Sequence, residues 1–252
     1  MKHLLLDREY RRGDRLELAG EEFHYLVHVR RYGAGTRLPA RSPSGRALVL
    51  EIREVTDRSL HAAVAEVGDD GTSSPELPGI VLYQGLPKGK KLEQIVRQTT
   101  EAGVAEVVPI HTAHSVVSLD EERGAKKQSR LERIAREASQ QSGRATPPRI
   151  HPPRGLVEVP SVDRAAGEIG FVFHEKAIAT QALREYLVGS PTRILLAVGP
   201  EGGFSGDEVT QLSEEKDFIV RSLGSTVLRT ETAALYALAA VQTILREEGA
   251  WL

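Results

Sequence analysis

No cysteine and no asparagine occur among the 252 residues, and methionine and tryptophan appear once each. The missing thiols exclude disulfides, thiolate nucleophiles and cysteine-based zinc sites together. Few thermolabile residues beside many arginines fit a thermophile or a GC-rich genome equally, and say nothing of function. No stretch approaches the roughly 18 apolar residues of a membrane span. The opening segment MKHLLLDREYRR offers only Leu4, Leu5 and Leu6 where a signal peptide needs a longer apolar region. The expectation is a cytoplasmic protein without membrane contact.

Several catalytic signatures are missing as well. Residues 85–91 (GLPKGKK) look superficially like a phosphate-binding loop, but a Walker A motif needs four residues between its glycines and a hydroxyl residue after the lysine. Here three intervene and Lys91 follows, so nothing is placed for Mg²⁺. His24 and His28 stand one helical turn apart, and His111 and His114 frame a loop. Neither pair has the carboxylate of an HExxH site, so structural roles and no metal are expected. The nucleophile-elbow pattern GxSxG and the dinucleotide fingerprint GxGxxG are also absent, which disfavours an ordinary hydrolase or Rossmann-type site.

What is present is an ordinary soluble composition, 40% apolar and 27% charged, long enough for one large or two modest domains. Short strand patterns at residues 4–6, 15–18, 37–41, 47–55 and 60–67, with one helix near 21–32, predict a small β-barrel domain over residues 1–70. Residues 42–45 carry a hairpin turn signal. Turn formers crowd residues 68–79 and mark a linker. Beyond it, apolar runs at 80–83, 106–110, 170–174, 193–198 and 218–223 alternate with helical patterns at 88–102, 126–142, 180–187 and 233–245. That alternation predicts an α/β domain over residues 71–252, a parallel sheet covered by helices. The net charge of −2 hides a basic middle third, where residues 123–154 hold nine Lys or Arg against Glu132 and Glu137. This is either a phosphate-facing surface or a solvated helix face.

The most informative stretch is the last sixty residues. Two loops, GPEGGFSGDE (199–208) and LGSTVLRTETA (223–233), each follow an apolar run and lead into a helix, the arrangement that places ligands at the carboxyl ends of an open α/β sheet. Gly199, Gly202 and Gly203 let backbone N–H groups face a ligand without Cβ obstruction, and Ser205 with Glu208 has capping-box spacing. Arg229 stands beside a helix amino terminus, where a cation is unfavourable unless an anion compensates. Thr230 is read as an N-cap and Glu231 suits the first turn. The helix that follows places Leu235, Leu238, Ala239 and Gln242 on one face. Residues 140–144 (QQSGR) offer amides, a hydroxyl and a guanidinium to base edges or phosphates, or else cap the helix end.

Together with LPKGKKLEQIVRQTTEAGVAEVVPI (86–110), KKQSRLERIAREASQQSGRATPPRI (126–150) and HYLVHVRR (24–31), these loops resemble the SPOUT class of RNA methyltransferases. Within that class they resemble the bacterial 16S ribosomal RNA uridine-N3 methyltransferase family. The resemblance covers nearly the whole chain and departs at Ser225 and Thr226, where the family pattern has a Pro- or Lys-like residue followed by Arg. It implies a SPOUT-type sheet with a carboxyl-terminal deep trefoil knot, preceded by a PUA-like β-barrel. It further implies S-adenosylmethionine as cofactor, 16S ribosomal RNA of the small subunit as substrate, and a homodimer.

The resemblance places the cofactor against Gly199, Glu201, Gly202, Leu223, Leu228 and Thr230, with His174 and Glu175 over its adenosine side. Arg30 and Arg31 are expected at the RNA, with Lys88, Lys90, Gln141 and Arg144 as further RNA contacts. The N3 proton of uracil must leave, so Arg229 is the candidate for stabilising O2 or O4 and Glu231 the candidate base. Two alternatives stand beside this: methylation of another RNA, a transfer RNA or a ribose 2′-oxygen, and a non-catalytic RNA-binding assembly factor.

Overall fold

The computed structural model describes residues 2–68, 77–115, 121–176, 181–189 and 191–247, with no side-chain description for 121–123 and 125. Most of the expected 68–79 linker, and Thr180 at the start of an expected helix, lie outside these residues. The chain divides into two compact units. One holds Met1–Ser73 and Ser139–Thr146; the other holds Ser74–Ala138 and Pro147–Leu252.

In the first unit the strands are β1 (Leu4–Leu5), β2 (Arg15–Ala19), β3 (Arg37–Arg41), β4 (Ala47–Val55) and β5 (Ser59–Val67), forming one sheet in the order β1-β3-β4-β5-β2. Alternation in β2 buries Leu16 and Leu18 and exposes Arg15 and Glu17, the period-two pattern of a half-solvated strand. Leu50, Ile52 and Leu60 are fully buried in its core. The turn at 42–45 closes the β3–β4 hairpin, with the Gly45 N–H donating to the Ser42 carbonyl at 2.9 Å. The single helix expected at 21–32 is instead a short α1 (Gly20–Phe23) that widens into a π-helical stretch, His24–Val29. It ends at Arg31, whose φ of 59° is left-handed and cannot continue a helix.

The second unit contains β6 (Gly79–Gly85), α2 (Lys91–Glu101), β7 (Glu106–His111), α3 (Glu121–Ser142), β8 (Arg149–Ile150), β9 (Arg154–Gly155), β10 (Glu168–Phe173), α4 (Leu183–Leu187), β11 (Arg193–Val198), α5 (Gly206–Thr210), β12 (Ile219–Arg221) and α6 (Thr230–Glu247). Every strand pair in it is parallel, in the order β12-β10-β11-β6-β7-β8, with β9 also on β7. Side chains sort by face. Leu82, Phe171 and Leu196 pack against Ile95 of α2, Ile134 of α3 and Leu238 of α6. Val81, Val172 and Leu195 pack on the other side with Phe204, Val209 and Phe218. A sheet covered on both faces explains the nearly continuous apolar runs at 80–83 and 193–198.

Two expectations need correction. The run at 218–223 shortens to the three residues of β12, because Phe218 turns into the core and Ser222 begins the loop. In α6 the buried face is Thr230, Ala234, Ala237, Leu238, Val241 and Leu245; Ala239 is exposed, and Leu235 and Gln242 are half-buried. The helix packs against α2 and α4, so its buried stripe follows small residues that let helices approach closely, which the bulkier expected stripe does not.

Candidate functional site

Three loops leave the carboxyl ends of β10, β11 and β12 and enclose a cavity of about 300 Å³. That volume is at the lower end of the roughly 300–1,000 Å³ typical of small-molecule sites. Glycine builds the middle loop. A Cβ on Gly199 would sit 2.8 Å from the Gly203 backbone, and one on Gly202 would sit 2.9 Å from the His114 side chain. Gly85 at the end of β6 meets the same loop: its Cβ would fall 2.5 Å from Pro200. At Gly199 and Gly85 a side chain would push backbone out of position, and at Gly202 it would displace His114.

A buried polar hinge fixes these loops to one another. Gln84, with no exposed surface, donates through Nε2 to Thr230 Oγ1 at 2.9 Å and to the Gly199 carbonyl at 3.3 Å. Thr230 in turn donates its hydroxyl to the Gly199 carbonyl at 2.6 Å. Thr230 is therefore committed across the cavity wall, and its expected N-cap bond is replaced; the first turn of α6 closes on the Arg229 carbonyl, which accepts from the N–H groups of Thr232 and Ala233. The capping box is formed as the spacing indicated, with Ser205 accepting from the Glu208 N–H at 3.3 Å and Glu208 accepting from the Ser205 N–H at 2.8 Å. Glu208 also accepts from the Ala113 N–H at 2.6 Å, and His114 Nδ1 lies 3.1 Å from the Gly203 carbonyl, so the 112–115 turn braces the glycine loop from outside.

Glu201 is the charged member of the wall. Lys91 Nζ is 2.8 Å from its Oε1, and the Lys88 backbone N–H donates to its two oxygens at 3.1 and 3.3 Å. Burial alone would raise this carboxyl, but the Lys91 and backbone hydrogen bonds outweigh it and hold it below the ordinary carboxylate value.

All eight residues expected at the cofactor, His174, Glu175, Gly199, Glu201, Gly202, Leu223, Leu228 and Thr230, line this cavity. Arg229 and Glu231 are not among its lining residues. Arg229 is exposed, and its side chain has no hydrogen bond or ion pair among the described residues. Glu231 is largely buried, 3.9 Å from Lys91 Nζ. Lys88 and Lys90 are exposed just before α2. Arg30 and Arg31 are exposed in the first unit, where Arg30 donates to the Tyr32 hydroxyl at 2.9 Å. Gln141 and Arg144 belong to that unit too, at a helix end where Gly143 takes a φ of 90° and the Gly143 and Arg144 N–H groups both donate to the Ser139 carbonyl. Burial of Arg144 lowers its guanidinium from the ordinary value.

Sequence reasoning passed over Gln84 and the lining residues Phe173, Ser222 and Val227, and grouped Lys91 with Lys88 and Lys90 as an RNA-phosphate contact or a solvated helix start. Only Gln84 left a signal, a lone amide inside the apolar run VLYQG. A wider groove of about 550 Å³, flanked by Arg133, Arg136 and Arg149, is more open to solvent and takes in none of the expected cofactor residues. The smaller cavity, with its glycine walls, suits a cofactor better. Among the described residues no group of three or more His, Cys, Asp or Glu could hold a metal ion, and no helix is long and apolar enough to cross a membrane.

A parallel sheet whose carboxyl-end loops form a glycine-walled cavity defines a small-molecule-binding α/β enzyme domain, and residues 75–242 match the family model for the RNA methyltransferase domain. The chain belongs to that family. Over 231 residues it is 34% identical to the ribosomal RNA small subunit methyltransferase E of Bacillus subtilis, covering 89% of this chain and 88% of that protein, and it belongs with the methyltransferase E proteins. Among solved structures, a Legionella pneumophila protein in complex with its bound cofactor SAM is 30% identical with a TM-score of 0.83, over 96% of this chain and 97% of that one. The ribosomal RNA small subunit methyltransferase E of Neisseria gonorrhoeae, bound to S-adenosyl methionine, is 25% identical with a TM-score of 0.82, over 97% and 98%.

Proposed function

We propose that this protein transfers a methyl group from S-adenosylmethionine to N3 of a uridine in 16S ribosomal RNA of the small subunit. The observation that carries the proposal is the cavity at the ends of β10, β11 and β12, whose middle loop is packed so closely that a Cβ on Gly199 would meet the Gly203 backbone and one on Gly202 the His114 side chain. Bound there, S-adenosylmethionine supplies a methyl group activated by a sulfonium leaving group. The protein's share is positioning, which accounts for much of the rate in such transfers. Leu223, Leu228 and Phe173 give the cavity apolar surface, Glu201 and Thr230 give it polar edges, and the Gln84–Thr230–Gly199 hydrogen bonds keep its walls in register.

The acceptor nitrogen must lose a proton. Glu231 is the base in this reading, and Arg229, a cation at a helix amino terminus with no anionic partner among the described residues, is the group that stabilises the deprotonated ring. Several finer features belong to the same proposal. The loops around Gly85, Pro200 and Thr230, drawn from distant parts of the chain, are read as the walls of a deep trefoil knot of the SPOUT class. The first unit is read as a PUA-like RNA-binding barrel with Arg30 and Arg31 at the RNA, where a π-helical stretch ends. Gln141 and Arg144 of that unit, and Lys88 and Lys90 of the other, are further RNA contacts. The working form is a cytoplasmic homodimer. Ser225 and Thr226 line the cavity where the family pattern has a different pair, which favours a second reading in which another RNA, or a ribose 2′-oxygen, is the acceptor.

Expression of this chain in a bacterial strain deleted for its own small subunit methyltransferase E tests the proposal. Mass spectrometry of the extracted 16S RNA is expected to show 3-methyluridine restored at the unmethylated position; a methyl group appearing instead on transfer RNA or on a ribose would support the second reading.

A further inference from the structure

Lys91 opens α2 with a cation at the positive end of a helix, an unfavourable position unless carboxylates compensate. Two do, one from the cavity wall and one from the helix that begins beside it. Glu201, on the loop after β11, lies 2.8 Å from the ammonium, and Glu231, in the first turn of α6, lies 3.9 Å away. The first distance is a charge-assisted hydrogen bond; the second is an ion pair too long to be one. The Glu231 oxygen facing Lys91, Oε2, is buried and has no hydrogen-bond partner among the described residues. Buried carboxylate oxygens in that condition are rare, because burial removes the water that would otherwise bond them.

The geometry points to Lys91 as a positioning residue of the methyl-transfer site: in the loaded site its ammonium hydrogen-bonds Glu201 and Glu231 together and locks the glycine loop to the first turn of α6. This assignment rests on the cavity being the S-adenosylmethionine site proposed above. A lysine ammonium has three donors, so it can serve both carboxylates. Closing the second contact requires a movement of about 1 Å, the difference between the longer separation and a normal charge-assisted bond. Glu201 lines the cavity, and so does Thr230, the neighbour of Glu231. A ligand that draws these walls together therefore brings Glu231 to Lys91, and the candidate base is fixed as the cofactor binds. The neighbouring Lys88 and Lys90 are exposed, whereas the Lys91 side chain is 31% exposed, consistent with a role toward the cavity and away from RNA.

The test combines binding, kinetics and stability. Lys91→Met is expected to weaken S-adenosylmethionine binding, measured by equilibrium dialysis, about tenfold or more while the KM for RNA stays near that of the unaltered protein; Lys91→Arg recovers most of the loss. A double-mutant cycle of Lys91→Met and Glu231→Gln, read as thermal midpoints with and without S-adenosylmethionine, should show coupling that grows when the cofactor is present. Should Lys91→Met fail to fold, Lys91→Gln takes its place in the cycle. Unchanged cofactor affinity with additive midpoints in both states overturns the assignment and leaves the proposed function intact. Failure of the unaltered protein to bind S-adenosylmethionine overturns both.

Discussion

Gln84 and Thr230, 146 positions apart in the chain, share a 2.9 Å hydrogen bond between side chains that are both buried. Through it the end of β6 is fastened to the start of α6, and the Thr230 hydroxyl passes the connection on to the Gly199 carbonyl at 2.6 Å. Thr230→Val keeps the shape and removes both bonds. It leaves the Gly199 carbonyl with only the longer 3.3 Å bond from Gln84 and the Gln84 amide with backbone carbonyls alone, at a cost of about 0.5–1.5 kcal/mol for each bond lost. The thermal midpoint should fall by roughly 3–10 °C and cofactor affinity with it, while Thr230→Ser, which keeps the hydroxyl, stays near the unaltered protein.

The glycine loop supplies a prediction with an internal control. Gly199→Ala puts a methyl against fixed backbone at 2.8 Å, whereas a Cβ on Gly206, seven residues on, meets nothing within 4 Å. Calorimetric titration with S-adenosylmethionine should show affinity lost in Gly199→Ala and retained in Gly206→Ala. Equal behaviour of the two variants would mean that the close approach at Gly199 does not shape the cavity.

Acid should loosen the Glu201 contact. The hydrogen bonds from Lys91 and the Lys88 N–H outweigh burial, so the folded protein holds this carboxyl below its unfolded value, near 4.5. A group depressed in this way contributes stability that is present above the unfolded value and is lost as pH falls through the folded one. Chemical denaturation from pH 6 down to pH 3 should therefore show the unaltered protein losing more stability than Glu201→Gln. Glu106 is depressed as well, through His151 and Arg193 against its own burial, but it is common to both proteins and drops out of the difference.

Arg229→Ala separates chemistry from cofactor binding. Its guanidinium is outside the cavity lining, so affinity for S-adenosylmethionine should change little. The single-turnover methylation rate should fall by about 10²-fold if the cation stabilises negative charge developing on the uracil oxygens. A variant with the same rate as the unaltered protein would remove Arg229 from the chemistry.

Local pattern made much of this legible in advance. The run at 193–198 is β11 as it stands, because a strand buried on both faces advertises itself as unbroken apolar sequence. The Ser205–Glu208 box was visible because its partners are three residues apart. The eight cofactor candidates were placed by likeness to a family, and no periodicity locates Leu223 or His174. What could not be read were relations across the chain. The Gln84 amide reaches loops more than a hundred residues away, and Lys91 was grouped with its exposed neighbours because nothing local distinguishes it from Lys90. The helix expected at 21–32 is helical through Val29 but differs in kind, and only the backbone reveals the widened turn and the left-handed stop at Arg31.

The most direct measurement incubates the purified protein with labelled S-adenosylmethionine and small ribosomal subunits that lack the modification, followed by digestion of the RNA and identification of the labelled nucleoside. Label in 3-methyluridine from 16S RNA is the predicted result. Cofactor binding without any label in 16S RNA would contradict the account.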